Sequence, residues 1–425
     1  MMYFERGSRT DVITAEDTRA ILKQVFDAMG PRKRVLAIPP DFTRFNSYAG
    51  PITEMVNDYF GDALTDIMPA LGTHSPMSDE QLSVMFPSVP KDKFRVHDWR
   101  NDIVTVGTVP GSYVKEVSEG RLDYEMNAQV NKLLLDPSFD LVLSIGQVVP
   151  HEVIGMANYT KNIFVGVGGS DFINKSHFIG ASYGMERIMG RAKSPVRDVF
   201  EYAKVHFLSQ VPIVYVLTVR AKDEASGEMV TRGLFIGDDF ECFQKAADLS
   251  LATNFIMVER EIKKCIVFLD PEEFKSTWLG NKSVYRTRMA LADDAELIVL
   301  APGLKEFGED KTIDGLIRNY GYKGTPHTLE CTNANADLQA NLGASAHLIH
   351  GSSEGRFRII YCPGDGMTRE EIEGVGFEYC HYNDMVARYP LESLKDGWNV
   401  VNGEEVYYIS NPALGLWAYP DRFKD

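Results

Sequence analysis

The segment FDLVLSIGQVVP, residues 139–150, is the clearest buried strand in the sequence, and His151 follows it directly. On the N-terminal side, RKRVLAIPPD (32–41) is a strand that runs into a Pro-Pro loop, and ALTDIMPALGTH (63–74) is a strand that ends at His74. Residues 15–29 between such runs have helical periodicity. Strands that alternate with helices predict an α/β protein with largely parallel sheets.

The same alternation restarts in the C-terminal part of the chain. Strand-like CIVFLD (265–270) is followed by ELIVLAPG (296–303), the helical KTIDGLIRNYG (311–321) and FRIIYCPG (357–364). At 425 residues the chain is too long for one ordinary domain. We therefore expect an N-terminal α/β domain over residues 1–265 and a C-terminal α/β domain over 266–407. The aromatic tail, about residues 408–425, is expected to pack back on the first domain.

The composition is that of a globular protein, with 44% hydrophobic and 24% charged residues. A formal net charge of −16 argues against a general nucleic-acid binder, because contact with phosphates requires a basic surface. The five cysteines are widely spaced and form no CxxC pair, which favours a reduced, cytoplasmic compartment over a disulfide framework. The N-terminus has no apolar signal segment and no run is long enough to span a bilayer, so we expect no membrane contact.

Three of the nine histidines stand out by their positions, namely His74, His151 and His177. Ligands of parallel sheets bind beyond the carboxyl ends of the strands, so Asp41, His74 and His151 are expected to share one crevice. Three histidines are compatible with a zinc site that keeps water as its fourth ligand. They are equally compatible with two acid/base groups and one metal ligand, and the spacing leaves both interpretations open.

Lys161 lies in the apolar, glycine-rich run MANYTKNIFVGVGG, residues 156–169. It is either a surface lysine whose stem covers apolar area, or a desolvated amine able to act as a nucleophile or to link a cofactor. Gly166, Gly168 and Gly169 have the spacing of a backbone nest for a phosphate, without matching a Walker or Rossmann fingerprint.

Two further groups of polar residues are candidates for substrate binding. Arg44, in PPDFTRF (39–45) with Asp41, is suited to hold a carboxylate in a bidentate fork. Lys282 and Ser283 lie among helix formers in WLGNKSVYRTRM (278–289), a context that by itself favours a solvated helix face.

In combination these motifs resemble the nickel-dependent lactate racemases and their 2-hydroxyacid racemase and epimerase relatives. The matching motifs are D-x-T-R at residues 41–44, G-T-H at 72–74, and H-x₉-K-x₁₅-H at 151–177. The resemblance extends over most of the chain and is strongest between residues 38 and 185. It implies two α/β domains with the active site in the cleft between them, where the C-terminal domain closes over the substrate.

The resemblance also implies a cofactor and a role for each candidate residue. The cofactor is the nickel-pincer nucleotide, a pyridinium mononucleotide with two thio-acid arms, which dedicated maturation enzymes install. The implied assignments are Lys161 as its thioamide link, His177 as the nickel ligand, Gly168 and Gly169 in cofactor binding, His74 and His151 as the catalytic pair, Arg44 and Asp41 at the substrate carboxylate, and Lys282 and Ser283 as second-domain residues facing the substrate.

The implied reaction is inversion at C2 of a 2-hydroxy acid. The hydrogen at C2 leaves as a hydride while a histidine deprotonates the hydroxyl, and its return to the other face inverts the centre. The chain departs from the family pattern at RFNSYAGP (44–51), where the family usually has a proline-containing turn after the arginine, and at Leu279, where a glutamine is expected. It also has no match to the tryptophan that some members place over the site. These departures border the substrate and extend the candidates from lactate to larger 2-hydroxy acids, including sugar acids.

Two other functions compete with this interpretation. The first is a zinc-dependent hydrolase or lyase that uses His74, His151 and His177 together and leaves Lys161 without an obligatory role. The second is a non-catalytic protein that binds a nucleotide or carries the cofactor without turning over any hydroxy acid.

Overall fold

The computed structural model describes residues 1–223 and 226–424, and it divides into two compact units. The first unit comprises residues 1–179 and 188–254, and the second comprises residues 180–187 together with the chain from Phe255 onward. The division thus follows Asn254 instead of residue 265, because β-strand residues just after it pair within the second unit. None of the helices in the described ranges is long and apolar enough to cross a membrane.

The elements between residues 1 and 254 alternate between strands and helices. The strands are β1 (Met2–Gly7), β2 (Val35–Ile38), β3 (Leu64–Ile67), β4 (Ile103–Val109), β5 (Met126–Asn131), β6 (Leu141–Gln147), β7 (Pro150–His151), β8 (Gly155–Met156), β9 (Ile213–Lys222) and β10 (Met229–Gly237). The helices are α1 (Ala15–Met29), α2 (Ala49–Phe60), α3 (Asp79–Met85), α4 (Gly111–Val117), α5 (Ser170–Tyr183), α6 (Met185–Ile188), α7 (Pro195–Phe207) and α8 (Phe240–Asn254), with a π-helical turn at Asn162–Gly166.

The sheet of the first unit has the strand order β1-β10-β9-β6-β2-β3 in the described residues. Strands β9, β6, β2 and β3 are parallel, and β10 and β1 extend the sheet antiparallel at one edge. β6 is buried in all its residues except Gln147, as its continuous apolar run predicts. Helices α1 and α2 cover one face, where Phe26 and Ile52 join a core with Val35 and Leu143.

Local sequence signals account for the ends of the main helices. α1 spans the predicted residues 15–29, because Thr14 forms a capping box with Asp17 at its start and Gly30 ends it with φ 77°. α7 begins where the side chain of Ser194 accepts a hydrogen bond from the amide of Arg197 and Pro195 occupies the first turn.

The second unit is a separate α/β layer. Its strands are β11 (Ile256–Met257), β12 (Ile262–Phe268), β13 (Leu291–Ala301), β14 (Arg358–Pro363), β15 (Glu378–Tyr379), β16 (Gly397–Val401), β17 (Glu404–Ile409) and β18 (Trp417–Ala418). Its helices are α9 (Thr277–Gly280), α10 (Lys282–Tyr285), α11 (Lys311–Tyr320), α12 (Thr325–Ala334), α13 (Ala336–Gln339), α14 (Leu342–His350), α15 (Arg369–Gly374) and α16 (Tyr382–Arg388).

The main sheet of the second unit has the order β15-β14-β13-β12-β17-β16, and only the pair β16–β17 in it is antiparallel among the described strands. The expected C-terminal tail contributes β18, which pairs with β11, so both belong to the second unit. Asp425, the last residue of that tail, lies outside the described ranges. The α/β class with largely parallel sheets is confirmed in both units.

Candidate active site

A cavity of about 410 Å³ lies in the first unit, beyond the carboxyl ends of β2, β3 and β6. Its volume is in the usual range for small-molecule sites. Six residues singled out in the sequence line it, namely Asp41, Arg44, His74, His151, Lys161 and His177. The expectation that Asp41, His74 and His151 share one crevice at the strand ends therefore holds in the structure.

Backbone contacts between neighbouring loops form the floor of the cavity. The loop after β2 runs beside the loop after β3, where Pro40 and Ala70 form a parallel bridge. The amide of Gly72 donates to the carbonyl of Gly166 at 2.8 Å, and Gly72 has φ +59°, which favours glycine. Gly72 therefore brings the loop of His74 against the backbone of the segment that carries Lys161.

Asp41 orients His74 by a hydrogen bond of 2.8 Å between Oδ2 and Nδ1. Asp41 is buried, which by itself would raise its pKa, but hydrogen bonds from His74 and from the hydroxyl of Thr43 hold the pKa below the usual range. The same carboxylate raises the pKa of His74. Because Nδ1–H of His74 donates to Asp41, the neutral ring has its lone pair on Nε2.

His151 has the opposite proton placement. The amide of Val153 donates to Nδ1 of His151 at 3.2 Å, so the neutral ring carries its proton on Nε2. Burial lowers the pKa of His151 well below its ordinary value, and the cation of Lys161 adds to this effect. His151 is therefore neutral at physiological pH, and its ring centroid lies 6.0 Å from that of His177.

Lys161 is partly buried and stands at the start of the π-helical turn Asn162–Gly166. Such turns occur frequently at functional sites. Burial, reinforced by the cation of Arg44, lowers the pKa of Lys161 to about 8. The side chain of Asn162 anchors the turn, because its Nδ2 donates to the carbonyl of Ile38 at 3.0 Å and to Oγ of Ser144 at 2.9 Å. The amine is thus held at the cavity wall with a substantial neutral fraction near pH 8.

His177 lies on α5, where its Nδ1–H donates to the carbonyl of Ile173 at 2.7 Å. This bond leaves Nε2 with a lone pair, the arrangement of a histidine that ligates a metal. Burial, with the cation of Lys161 as the second cause, lowers the pKa of His177 to about 4. The ring is therefore neutral over the physiological range.

The three histidines do not form a protein-only metal site. In the described ranges, no three His, Cys, Asp or Glu side chains are arranged to hold a metal ion. The tautomers also differ: His177 and His74 present a free Nε2, whereas Nε2 of His151 carries a proton. This arrangement gives no support to a zinc site built from His74, His151 and His177 together.

Gly168 and Gly169 are explained by packing. A Cβ atom at Gly168 would lie 1.9 Å from the carbonyl oxygen of Phe164, and one at Gly169 would lie 2.3 Å from Oε1 of Gln129. Of the three glycines in this run, only Gly166 is among the described residues that line the cavity. The phosphate nest expected at Gly168 and Gly169 stays a prediction.

Lys282 and Ser283 belong to α10 of the second unit. Ser283 is fully buried, and its hydroxyl donates to the carbonyl of Gly280 at 2.7 Å. The ammonium of Lys282 lies 5.5 Å from the ring centroid of Phe274. Leu279 packs against the core of the second unit, which accounts for an apolar residue at that position. The assignment of Lys282 and Ser283 to substrate binding stays a prediction.

Comparison with known proteins bears on this geometry. Residues 18–186 match the model of the lactate racemase N-terminal domain. Over this range the chain is similar to the N-terminal domain of lactate racemases. The matched range includes every residue named above as lining the cavity, so the racemase domain and the candidate site coincide in the chain.

Solved structures share the fold over nearly the whole length. A crystal structure of a Thermotoga maritima protein superposes with a TM-score of 0.75 at 21% identity, covering 97% of this chain and 99% of that one. The lactate racemase apoprotein from Thermoanaerobacterium thermosaccharolyticum gives a TM-score of 0.64 at 15% identity, covering 96% and 93%. At these identities the likeness establishes the fold of the chain. No curated protein matches the sequence.

Several residues of the cavity carry no signal that sequence reasoning detects. Gln147, Asn158 and Asn162 line the cavity. Their uncharged amide side chains occur in many parts of a protein, so they do not mark a site in the sequence. Asn158 and Tyr159 adopt left-handed φ values of 66° and 59°. The sequence does not predict this conformation, because neither residue is a glycine. Their conformation depends on contacts between the segment before Lys161 and α7.

Proposed function

We propose that the protein inverts the C2 centre of a 2-hydroxy acid, as a racemase or epimerase that depends on the nickel-pincer nucleotide. The observation that carries the proposal is the pairing of a depressed-pKa lysine with a histidine whose Nε2 is free, in one cavity. The match of residues 18–186 to the lactate racemase N-terminal domain suggests the reaction class, and the chemistry of the cavity residues supports it.

The residues present fit this cofactor. Lys161, with its pKa lowered to about 8, supplies a neutral amine for a thioamide link to a thio-acid arm. His177 would supply the lone pair of its Nε2 to the nickel of this group. When bound, this group supplies the acceptor for the hydrogen at C2, which is too weakly acidic to leave as a proton. Dedicated maturation enzymes are then required partners.

The remaining side chains bind the substrate and move its hydroxyl proton. Arg44 is suited to hold the carboxylate in a bidentate fork, which fixes the pivot about which C2 inverts. His74 accepts the hydroxyl proton at Nε2, and Asp41 stabilises the imidazolium that results. The same carboxylate that orients the ring therefore also increases its basicity.

His151 is the proposed base for the other enantiomer. In the arrangement described here its Nε2–H is a hydrogen-bond donor, suited to the oxygen at C2. Transfer of the ring proton to Nδ1 breaks the hydrogen bond from the amide of Val153, leaves Nδ1–H 3.9 Å from Oε2 of Glu152, and turns Nε2 into an acceptor. The two histidines thus serve as bases for the two enantiomers of the substrate.

The test uses protein that was co-produced with maturation enzymes of the family. Each enantiomer of a panel of 2-hydroxy acids, from lactate to sugar acids, is incubated in D₂O and analysed by chiral chromatography and mass spectrometry. We expect interconversion with the C2 hydrogen retained, because it moves as a hydride. His74→Ala and His151→Ala are expected to lose about 10²–10⁴-fold in rate.

The matched control is His206→Ala, which removes an exposed histidine at the end of α7. It is expected to keep the wild-type rate. Full activity in either His74→Ala or His151→Ala, with the fold intact, would refute the catalytic pair. Incorporation of solvent deuterium at C2 would refute hydride transfer.

A further inference from the structure

One face of α7 carries three charged side chains toward the segment that leads to Lys161. Arg197, Glu201 and Lys204 are spaced four and three residues apart, so they lie on the same side of the helix. Arg197 is fully buried, and its guanidinium carbon lies 4.3 Å from the ring centroid of Phe243 on α8. A buried cation in this position requires partners.

The partners of Arg197 are backbone and side-chain atoms of residues 156–160. Its Nη2 donates to the carbonyl of Met156 at 2.8 Å. Its Nη1 donates to the carbonyl of Asn158 at 3.2 Å and to the hydroxyl oxygen of Thr160 at 2.7 Å. A single guanidinium therefore spans five consecutive residues and ends one position before Lys161.

Glu201 and Lys204 complete the arrangement. The hydroxyls of Thr160 and Tyr159 donate to the two carboxylate oxygens of Glu201 at 3.0 and 3.2 Å. Lys204 donates to the hydroxyl oxygen of Tyr159 at 2.9 Å, and the ring of Tyr159 stacks on Phe243 at 5.0 Å. The segment is thus held by hydrogen bonds at each end and by a packed ring between them.

The backbone of this segment needs such support. Asn158 and Tyr159 are consecutive non-glycine residues with φ of 66° and 59°. Left-handed conformations of this kind are unfavourable for residues with a Cβ and persist only where the surroundings enforce them. They lie just before Lys161 and the π-helical turn that it starts, so the position of Lys161 depends on this conformation.

We propose that Arg197 and Glu201 are positioning residues that hold residues 156–160 in the left-handed conformation that presents Lys161 to the cavity. The relevance of this clamp to catalysis rests on the proposed function, in which Lys161 links the cofactor. The clamp itself is independent of that role and can be tested in protein without cofactor.

The test compares Arg197→Met, Arg197→Lys and Thr160→Val. Hydrogen exchange is followed by mass spectrometry in peptides covering residues 156–161, with peptides of β6 as the reference for unfolding of the whole unit. In Arg197→Met we expect exchange in the segment to accelerate about tenfold or more relative to β6, since charge-assisted hydrogen bonds are lost. Arg197→Lys restores part of the protection, because lysine keeps the charge without the fork.

The matched control is Arg232→Met, which removes another buried arginine of the first unit, bound to the carbonyls of Thr10 and Asp11. It is expected to leave the exchange of residues 156–161 unchanged relative to β6. Thr160→Val replaces a hydroxyl by a methyl group at nearly constant size, and it tests the clamp if Arg197→Met fails to fold. We expect it to accelerate exchange in the same segment by a smaller factor.

A second readout follows the fraction of chains that carry an adduct on Lys161 after co-production with maturation enzymes. We expect the wild type to carry the adduct, Arg197→Met to lack it, and Arg197→Lys to carry it on part of the chains. Unchanged exchange of residues 156–161 in both Arg197→Met and Thr160→Val, or equal acceleration in Arg232→Met, would overturn the clamp. An unloaded wild type with the expected exchange pattern would instead refute the proposed function and leave the clamp supported.

Discussion

Replacing Lys161 by methionine is expected to stabilise the first unit at neutral pH. The pKa of Lys161 is lowered from 10.5 to about 8 by burial and by the cation of Arg44. Below pH 8 the amine is protonated in the folded and the unfolded chain, so the folded state bears the cost of the buried charge. At 1.36 kcal/mol per pKa unit, this cost is on the order of 3 kcal/mol. Methionine has similar length and no charge, so it removes the cost.

The effect has a defined pH dependence. Between pH 8 and 10.5 the unfolded chain binds more protons at this site than the folded chain, so the stability of the wild type rises with pH. The free energy of unfolding of Lys161→Met lacks this rise. The advantage of the variant is therefore largest at pH 7 and nearly gone at pH 10.5.

Unfolding of the first unit can be followed separately by alkylation of Cys242, which is fully buried on α8. The alkylated fraction is measured by mass spectrometry against urea concentration at pH 7 and at pH 10. Lys115→Met, at an exposed position on α4, is the control and is expected to change stability by less than about 0.5 kcal/mol. A Lys161→Met variant no more stable than wild type at pH 7, or an advantage equal at both pH values, would refute the desolvated amine.

Two further predictions concern the parts around this lysine. Asp41→Asn is expected to lower the pKa of His74, because the carboxylate is the largest cause of its elevation; an NMR titration of the ring with an unchanged midpoint would contradict this. Gly168→Ala is expected to destabilise the first unit by about 1–3 kcal/mol, because its Cβ would lie 1.9 Å from the carbonyl oxygen of Phe164. Gly315→Ala, where nothing lies within 4 Å, is the control and is expected to stabilise α11 by up to about 1 kcal/mol in urea unfolding.

The strands that end at the cavity could be predicted from the sequence, because buried parallel strands appear as continuous runs of apolar residues. The run that ends before His151 is the central strand β6, and the loops with Asp41 and His74 follow β2 and β3. This prediction did not require the order of the strands in the sheet, because the carboxyl ends of parallel strands all lie at one edge. The sequence marked Lys161 and His177 as candidates, but their roles as cofactor link and metal ligand came only from the resemblance to the racemase family.

The parts that sequence reasoning missed depend on contacts between distant segments. The left-handed residues Asn158 and Tyr159 are kept by Arg197, which lies on another helix and looks like an ordinary surface arginine in the sequence. The sequence predicted a phosphate nest at Gly168 and Gly169, and it did not reveal that both glycines pack too closely against Phe164 and Gln129 to accept a Cβ atom. Charged side chains on a helix and glycines in a loop have many causes, and only the neighbours distinguish among them.

The central claim is that Lys161 carries a nickel-bearing nucleotide. The direct measurement is the intact mass and nickel content of the full chain, co-produced with maturation enzymes, with peptide mapping of any adduct and a racemase known to be loaded as positive control. The proposal predicts one nickel-bearing nucleotide per chain, on Lys161, and none in Lys161→Ala. An unmodified Lys161 while the positive control is fully loaded would contradict it.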